Sequence, residues 1–180
     1  MATFNSNVWN TVFGPTDVGG KGIVNIVGSI LVPAGTGLAT SDVLNFFRYR
    51  AGGHLRSIWI QNSDFGTDAP GTLGHYGIDD GVAIDADSIL ADMVLETAAD
   101  RCFENIATAV QTSGTAFQAP FATVTEDVAI KGIVGTMNTP ATAGSKYIKF
   151  AAELVYFGAD QNTAGTFTYN GASSGASATE

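Results

Sequence analysis

Two histidines, His54 and His75, are the side chains best suited to act as a general base near neutral pH. His54 begins one predicted strand, and His75 lies within another. A histidine base also needs a nucleophile and an orienting acid, and neither histidine has such partners at a recognisable spacing. We therefore interpret both as structural residues, at the surface or half-buried in their strands.

Other sequence patterns that could indicate catalysis are also weak. The segment Gly171–Gly175 reads G-x-S-x-G, but the nucleophile motif of that form needs a strand before it and a helix after it. This segment instead lies in a stretch of Gly, Ser and Ala. Cys102, the single cysteine, cannot form an intramolecular disulfide and has no Cys or His at metal-ligand spacing. The sequence predicts neither an enzyme nor a bound cofactor.

Four carboxylates form the only candidate metal site, namely Asp79, Asp80, Asp85 and Asp87. Oxygen ligands of this kind suit calcium. Their spacing differs from that of an EF-hand loop, which needs alternating ligands, a glycine and a distal glutamate. The alternative is that Asp79 and Asp80 bond the backbone of a turn, while Asp87 caps a helix.

The net charge of the chain disfavours several classes of binding partner. With 8 Lys and Arg against 17 Asp and Glu, the net charge is −9, which repels nucleic acid and anionic membranes. Arg48 and Arg50 share one strand face and, with Arg56, form a positive cluster in this acidic chain. This cluster either pairs with the chain's own acids or forms an interface with an acidic partner.

The elements that must position these residues are mostly strands. Only 14% of the residues are charged and 22 are glycine, which excludes a coiled coil and indicates many turns. Apolar segments bounded by Gly, Pro and Asp predict strands over 23–32, 42–50, 54–62, 72–78, 128–134 and 146–157. Residues 146–157 have the clearest period of two. We expect an all-β, mainly antiparallel β-sandwich.

One helix interrupts this prediction. The segment Asp85–Val110 has few helix-breaking residues, and part of it suits a helix with one apolar face. We predict a short helix from Ala86 to Met93, with Asp87 at its N-cap. Beyond Met93 the pattern fits either a continued helix or a return to strand.

Two terminal segments flank the predicted domain at 23–157. Residues 1–22 form an N-terminal arm that is either an edge strand over its own core or an arm on a neighbouring subunit. Residues 158–180 form a tail in which 18 of 23 residues are Gly, Ala, Ser, Thr or Asn and only Phe167 and Tyr169 are large. The sequence has no secretory signal, and its longest strongly apolar stretch is too short to span a bilayer. We expect synthesis in a cytoplasm.

Several segments resemble, in order and turn chemistry, the small head-decoration or cement proteins of tailed bacteriophages. These are Gly37–Arg48, Arg50–Ile60, Gly71–Asp79, Asp127–Ile130 and Ala143–Phe150. The resemblance covers roughly residues 20–157. The group's Leu-Pro-Ala-Gly turn reads Tyr49–Gly52 here and lacks the proline, whereas its Thr-Ala-Gly loop is present at Thr142–Gly144.

The resemblance implies a sandwich, with a jelly roll as one form of it, that assembles on the outside of a virion capsid. Its implied partners are the major capsid protein and further copies of itself, commonly as a trimer. No active-site residue is implied. Residues that would bind a partner are the arm aromatics Phe4, Trp9 and Phe13, together with Arg48 and Arg50.

Three alternatives stay open. The chain could be a minor head-fibre or tail protein. It could instead be a calcium-assisted carbohydrate-binding sandwich, with Trp59, Tyr76 and the acidic turns as its platform. An enzyme with an unrecognised site is the third.

Overall fold

The computed structural model describes residues 1–14, 21–50, 53–66, 71–95, 99–104, 127–135 and 144–157. Within them lie ten strands and no helix. The strands are β1 Thr3–Asn5, β2 Val12–Phe13, β3 Lys21–Val32, β4 Val43–Tyr49, β5 Gly53–Asn62, β6 Gly71–Gly77, β7 Ala83–Met93, β8 Ala99–Glu104, β9 Val128–Ile133 and β10 Lys146–Phe157. No helix in these ranges is long and apolar enough to cross a membrane.

These strands form two sheets. One has the order β1-β4-β9-β6-β7, with β2 also pairing with β4. The other has the order β3-β10-β5-β8. Pairing is antiparallel except where β1 and β2 run parallel to β4. The predicted all-β, mainly antiparallel sandwich is confirmed.

The core lies between the two sheets, and β10 shows why. Its residues alternate as predicted, with Ile148, Phe150, Ala152, Leu154 and Tyr156 all buried. The Phe150 ring packs against Phe46 and Phe47 at centroid distances of 5.3 and 5.7 Å. A bulge in the β4–β9 pairing between Asn45 and Phe47 allows both neighbouring phenylalanines to be buried.

The predicted helix from Ala86 to Met93 is wrong, because these residues belong to β7. Ile89 and Met93 are four residues apart and both buried, a spacing that a helix and a strand share. Asp87 therefore caps no helix, and its N–H lies 3.4 Å from Asp85 Oδ1. The strand β7 contains a large bulge opposite β6. Leu73 pairs with Leu90 whereas His75 pairs with Asp85, so two residues of β6 span five residues of β7.

Several predicted features fall outside the described residues. They include part of the arm at 15–20, the tail at 158–180 and the G-x-S-x-G segment within that tail. The backbone of Cys102 lies in β8, opposite Trp59 of β5.

Candidate functional site

The N-terminal segment, residues 1–14, joins the two sheets along one side of the sandwich. Its strands β1 and β2 pair with the two ends of β4 in the larger sheet. Between them, Ser6 forms an isolated bridge to Ile30 of β3 in the smaller sheet. Asn7 exchanges two bonds with Ser29, its N–H donating to the carbonyl at 3.0 Å and its Oδ1 accepting at 2.8 Å.

A cation–aromatic pair lies where the N-terminal segment turns, between β1 and β2. Arg48 Nε donates to the carbonyl of Trp9 at 2.7 Å, and the guanidinium lies 5.1 Å from the centre of the indole ring. Both side chains are half-exposed. The pair therefore offers a planar cation and a large aromatic side chain at one surface position, which suits recognition of a protein partner.

Phe13 and Arg50 meet further along the same side. Arg50 N–H donates to the carbonyl of Phe13 at 2.9 Å. The Tyr156 hydroxyl lies 3.1 Å from the carbonyl of Phe13 and 3.2 Å from that of Arg50. Burial raises the pKa of Tyr156 to about 12, so this donor keeps its proton at all ordinary pH values.

Of the predicted partner-binding residues, the structure pairs Trp9 with Arg48 and Phe13 with Arg50. Phe4 lies at the other end of β4, opposite Leu44, and packs against the core. Partner binding by these five residues stays a prediction.

A second surface, not anticipated from the sequence, is the outer face of β3. Ile23, Val27 and Leu31 are 59%, 73% and 58% exposed, while Ile26 and Ile30 on the opposite face are buried. Tyr147 of β10 lies beside Leu31 and is 41% exposed. We call the backbone edge of β3 that faces away from β10, together with these outward side chains, the β3 edge.

Charges lie on β10 and β5 rather than on the β3 edge. Lys149 Nζ lies 4.7 Å from the centre of the Tyr147 ring. Arg56 and Glu153 form an exposed ion pair at 2.7 Å. Between Gly22 and Val32, β3 itself carries no charged residue.

Two of the four aspartates, Asp80 and Asp85, accept backbone N–H groups two residues further along the chain. Asp80 Oδ1 accepts the N–H of Val82 at 2.9 Å, which closes the turn after β6. Burial raises the pKa of Asp85, and the neighbouring Asp87 side chain raises it further. Across the described ranges, no group of three or more His, Cys, Asp or Glu side chains is placed to hold a metal ion. Calcium binding at these residues stays an untested alternative.

The two histidines differ in environment. His75 is fully buried, with Nδ1 2.5 Å from Ser88 Oγ, and its burial lowers its pKa to about 3. His54 is half-buried, and its burial also lowers its pKa. A neutral, enclosed His75 suits a structural role rather than proton exchange with a dissolved substrate.

The carbohydrate-platform residues lie in different sheets. Trp59 belongs to β5 in the smaller sheet, whereas Tyr76 belongs to β6 in the larger one. Tyr76 is buried, and Lys131 Nζ lies 5.3 Å from the centre of its ring. The two aromatics therefore do not form one platform.

Sequence reasoning missed two features. Asp42 is buried and accepts the N–H groups of Ala2 and Ala39 at 2.5 and 2.9 Å, which fixes the start of β4. The exposed face of β3 was not predicted, because both of its faces carry apolar residues. The available signal was the polar pair Asn25 and Ser29, which alternates with the exposed apolar residues on one face.

No protein-family model matches the sequence, and no curated protein matches it significantly. Among solved structures, the fold is similar to a chain from the capsid of Ralstonia phage GP4. That match has a TM-score of 0.54 and 15% identity, and it covers 86% of this chain and 98% of the phage chain. A chain of the cyanophage Pam1 capsid asymmetric unit aligns with a TM-score of 0.49 and 12% identity, over 81% and 93% of the two chains. The first match shows a shared fold.

Proposed function

We propose that this protein is a non-enzymatic structural component of a phage virion, a decoration protein on the outside of the capsid. The observation that carries the proposal is the fold shared with a chain of the Ralstonia phage GP4 capsid over 98% of that chain. At this level of identity the likeness concerns the fold, and the role is our inference from it. The resemblance of the turn segments to head-decoration proteins supports the same role.

In this role the protein binds the major capsid protein and stabilises contacts between its subunits, with further copies of itself as a trimer. A protein that binds only the assembled shell stabilises that shell by mass action, and no chemistry is needed. The Trp9–Arg48 pair is the proposed capsid contact, because it presents a half-exposed aromatic and a cation on one side of the sandwich.

Reconstitution tests this function. Purified protein is added to capsids that lack it, and both the bound amount and the shell's thermal stability are measured. We expect saturable binding and a higher shell melting temperature. An Arg48→Ala variant should bind at least tenfold more weakly, whereas Arg56→Ala, an exposed arginine in the other sheet, should bind normally.

The melting temperature of each isolated variant separates lost binding from lost folding. Normal shell binding by Arg48→Ala would remove the Trp9–Arg48 pair from the interface. Failure of the unaltered protein to bind any shell would contradict the decoration role itself.

A further inference from the structure

Part of the β3 edge has backbone groups that no strand of the described residues pairs with. Ser29 directs its N–H and C=O away from β10, since both bond to Asn7. Alternate residues of a strand point the same way, so the same groups of Ile23, Asn25 and Val27 face outward as well. In the described part of the chain, no strand lies beside these three residues, because β3 ends its sheet.

This stretch lacks the usual protection against strand pairing. Natural edge strands carry lysines, prolines or bulges, or they are very short. β3 spans 12 residues, and its register with β10 is continuous from Lys21 to Val32. From Gly22 to Val32 it has neither a proline nor a charge. Such an edge is a template for another strand.

The residue pattern also indicates which strand could pair with the β3 edge. If two copies of β3 pair antiparallel about a two-fold axis at Asn25, Ile23 of one copy faces Val27 of the other. On the inner face, Val24 faces Ile26, which increases the burial of the half-buried Val24. Each apolar residue thus meets an apolar residue, and Asn25 meets its own copy.

The charge of the chain also favours a second copy as the partner of the β3 edge. Each copy carries a net charge of −9, so most surfaces of two copies repel one another. The neutral β3 edge lets them meet with no like charges in cross-strand register. The Asn7–Ser29 bonds limit the contact, because they occupy the edge beyond Gly28.

We propose that the β3 edge is a homotypic interface, in which residues Gly22–Gly28 of two copies form an antiparallel ladder that joins their four-stranded sheets. The contact is isologous, so it is separate from any three-fold contact within a trimer. It connects copies that a shell or a high concentration brings together, where the effective concentration is high.

Disulfide trapping tests this geometry. In a chain whose Cys102 is replaced by serine, Asn25→Cys places two thiols opposite each other on the axis. Hydrogen-bonded antiparallel pairs have Cα atoms about 5.5 Å apart, within the range of a disulfide. Mild oxidation should give at least tenfold more covalent dimer for Asn25→Cys than for two controls, Leu31→Cys on the same face and Val82→Cys between β6 and β7.

The controls are matched in exposure, at 58% for Leu31 and 61% for Val82. In the proposed ladder, the two copies of Leu31 would lie roughly 40 Å apart, at about 3.4 Å for each residue. They cannot form a disulfide within one pair of copies.

A second measurement needs no cysteine. Sedimentation equilibrium of the full chain should show at least tenfold weaker association for Val27→Lys than for Val82→Lys, because the lysine would face Ile23 of the second copy. Equal cross-linking at Asn25, Leu31 and Val82, together with equal association of both lysine variants, would overturn the proposal.

Two other occupants of the edge would give different results, and each would also overturn the homotypic contact. Protection of the outward-facing amides of Ile23, Asn25 and Val27 from hydrogen exchange in the dilute monomer would assign the edge to the chain's own residues 158–180. Loss of shell binding by Val27→Lys, with no cross-linking at Asn25, would assign it to a capsid subunit.

Discussion

The two long strands that end the sheets, β3 and β7, differ in almost every property that controls strand pairing. β7 carries Asp85, Asp87 and Asp92, and its register with β6 shifts three times. β3 is uncharged from Gly22 to Val32, and its register with β10 never shifts. Charge and irregularity prevent an edge from recruiting another strand, so β7 is a protected edge, whereas the described part of β3 from Gly22 to Val32 carries neither a charge nor a register shift.

The two strands also differ in how tightly the chain packs beside them. A Cβ atom added to Gly74 of β6 would lie 2.1 Å from the carbonyl oxygen of Asp85 in β7. The atoms nearest to one added to Gly28 of β3 would belong to side chains, Phe150 at 2.5 Å and Val8 at 2.8 Å. The bulge of β7 therefore depends on a glycine beneath it, whereas β3 tolerates some adjustment.

The largest predicted effect follows from this close approach. Gly74→Ala should lower the free energy of unfolding by about 3 kcal/mol or more, because the backbone of β7 must move. Gly28→Ala should cost about half as much. Gly144→Ala, where no atom of the described residues beyond its chain neighbours lies within 4 Å of the added carbon, is the control. Urea unfolding of the three variants measures their free energies of unfolding. An equal decrease for the Gly28 and Gly74 variants would contradict the predicted ranking.

The second predicted effect is a dependence of the free energy of unfolding on pH, caused by His75 of β6. His75 has a pKa of about 3 in the folded protein, against about 6.5 when unfolded. Below pH 6.5 the unfolded state takes up a proton that the folded state does not, so stability falls as the pH falls. Between pH 7 and pH 5 we expect a loss of about 2 kcal/mol from this group.

A His75→Gln variant should lack that component of the pH dependence, whatever its stability at pH 7. The half-buried His54 provides the control variant, His54→Gln, for which we expect a smaller change. An unaltered difference between pH 7 and pH 5 in His75→Gln would show that other groups cause the acid sensitivity.

The third prediction separates folding from association at β3. Val27 is 73% exposed, so Val27→Lys should change the free energy of unfolding of the dilute protein by less than about 0.5 kcal/mol. Thermal melting at low concentration measures this change. A large destabilisation would mean that Val27 supports its own domain and that the β3 edge is less exposed than described.

A similarly small effect is expected at the exposed ion pair of the same sheet. The Arg56 side chain is 62% exposed and that of Glu153 is 27% exposed. Arg56→Ala should cost less than about 1 kcal/mol, and the cost should decrease with added salt. A greater loss that salt does not reduce would indicate that the arginine stem packs on the sheet.

Period-two patterns were sufficient to predict the sandwich, because β10 buries one face and exposes the other. They failed at β7, where Ile89 and Met93 have a spacing common to helix and strand. They also failed at β3, where apolar residues cover both faces and the exposed one is visible only in three dimensions. The Trp9–Arg48 contact joins residues 39 positions apart, and no local pattern encodes such a pair.

The central claim, a structural role across a phage head, is tested most directly by quantitative mass spectrometry of purified virions that encode this chain. We predict a copy number comparable to that of the major capsid protein. A few copies per particle would indicate a fibre or tail position instead. Absence from the particles would contradict the virion role.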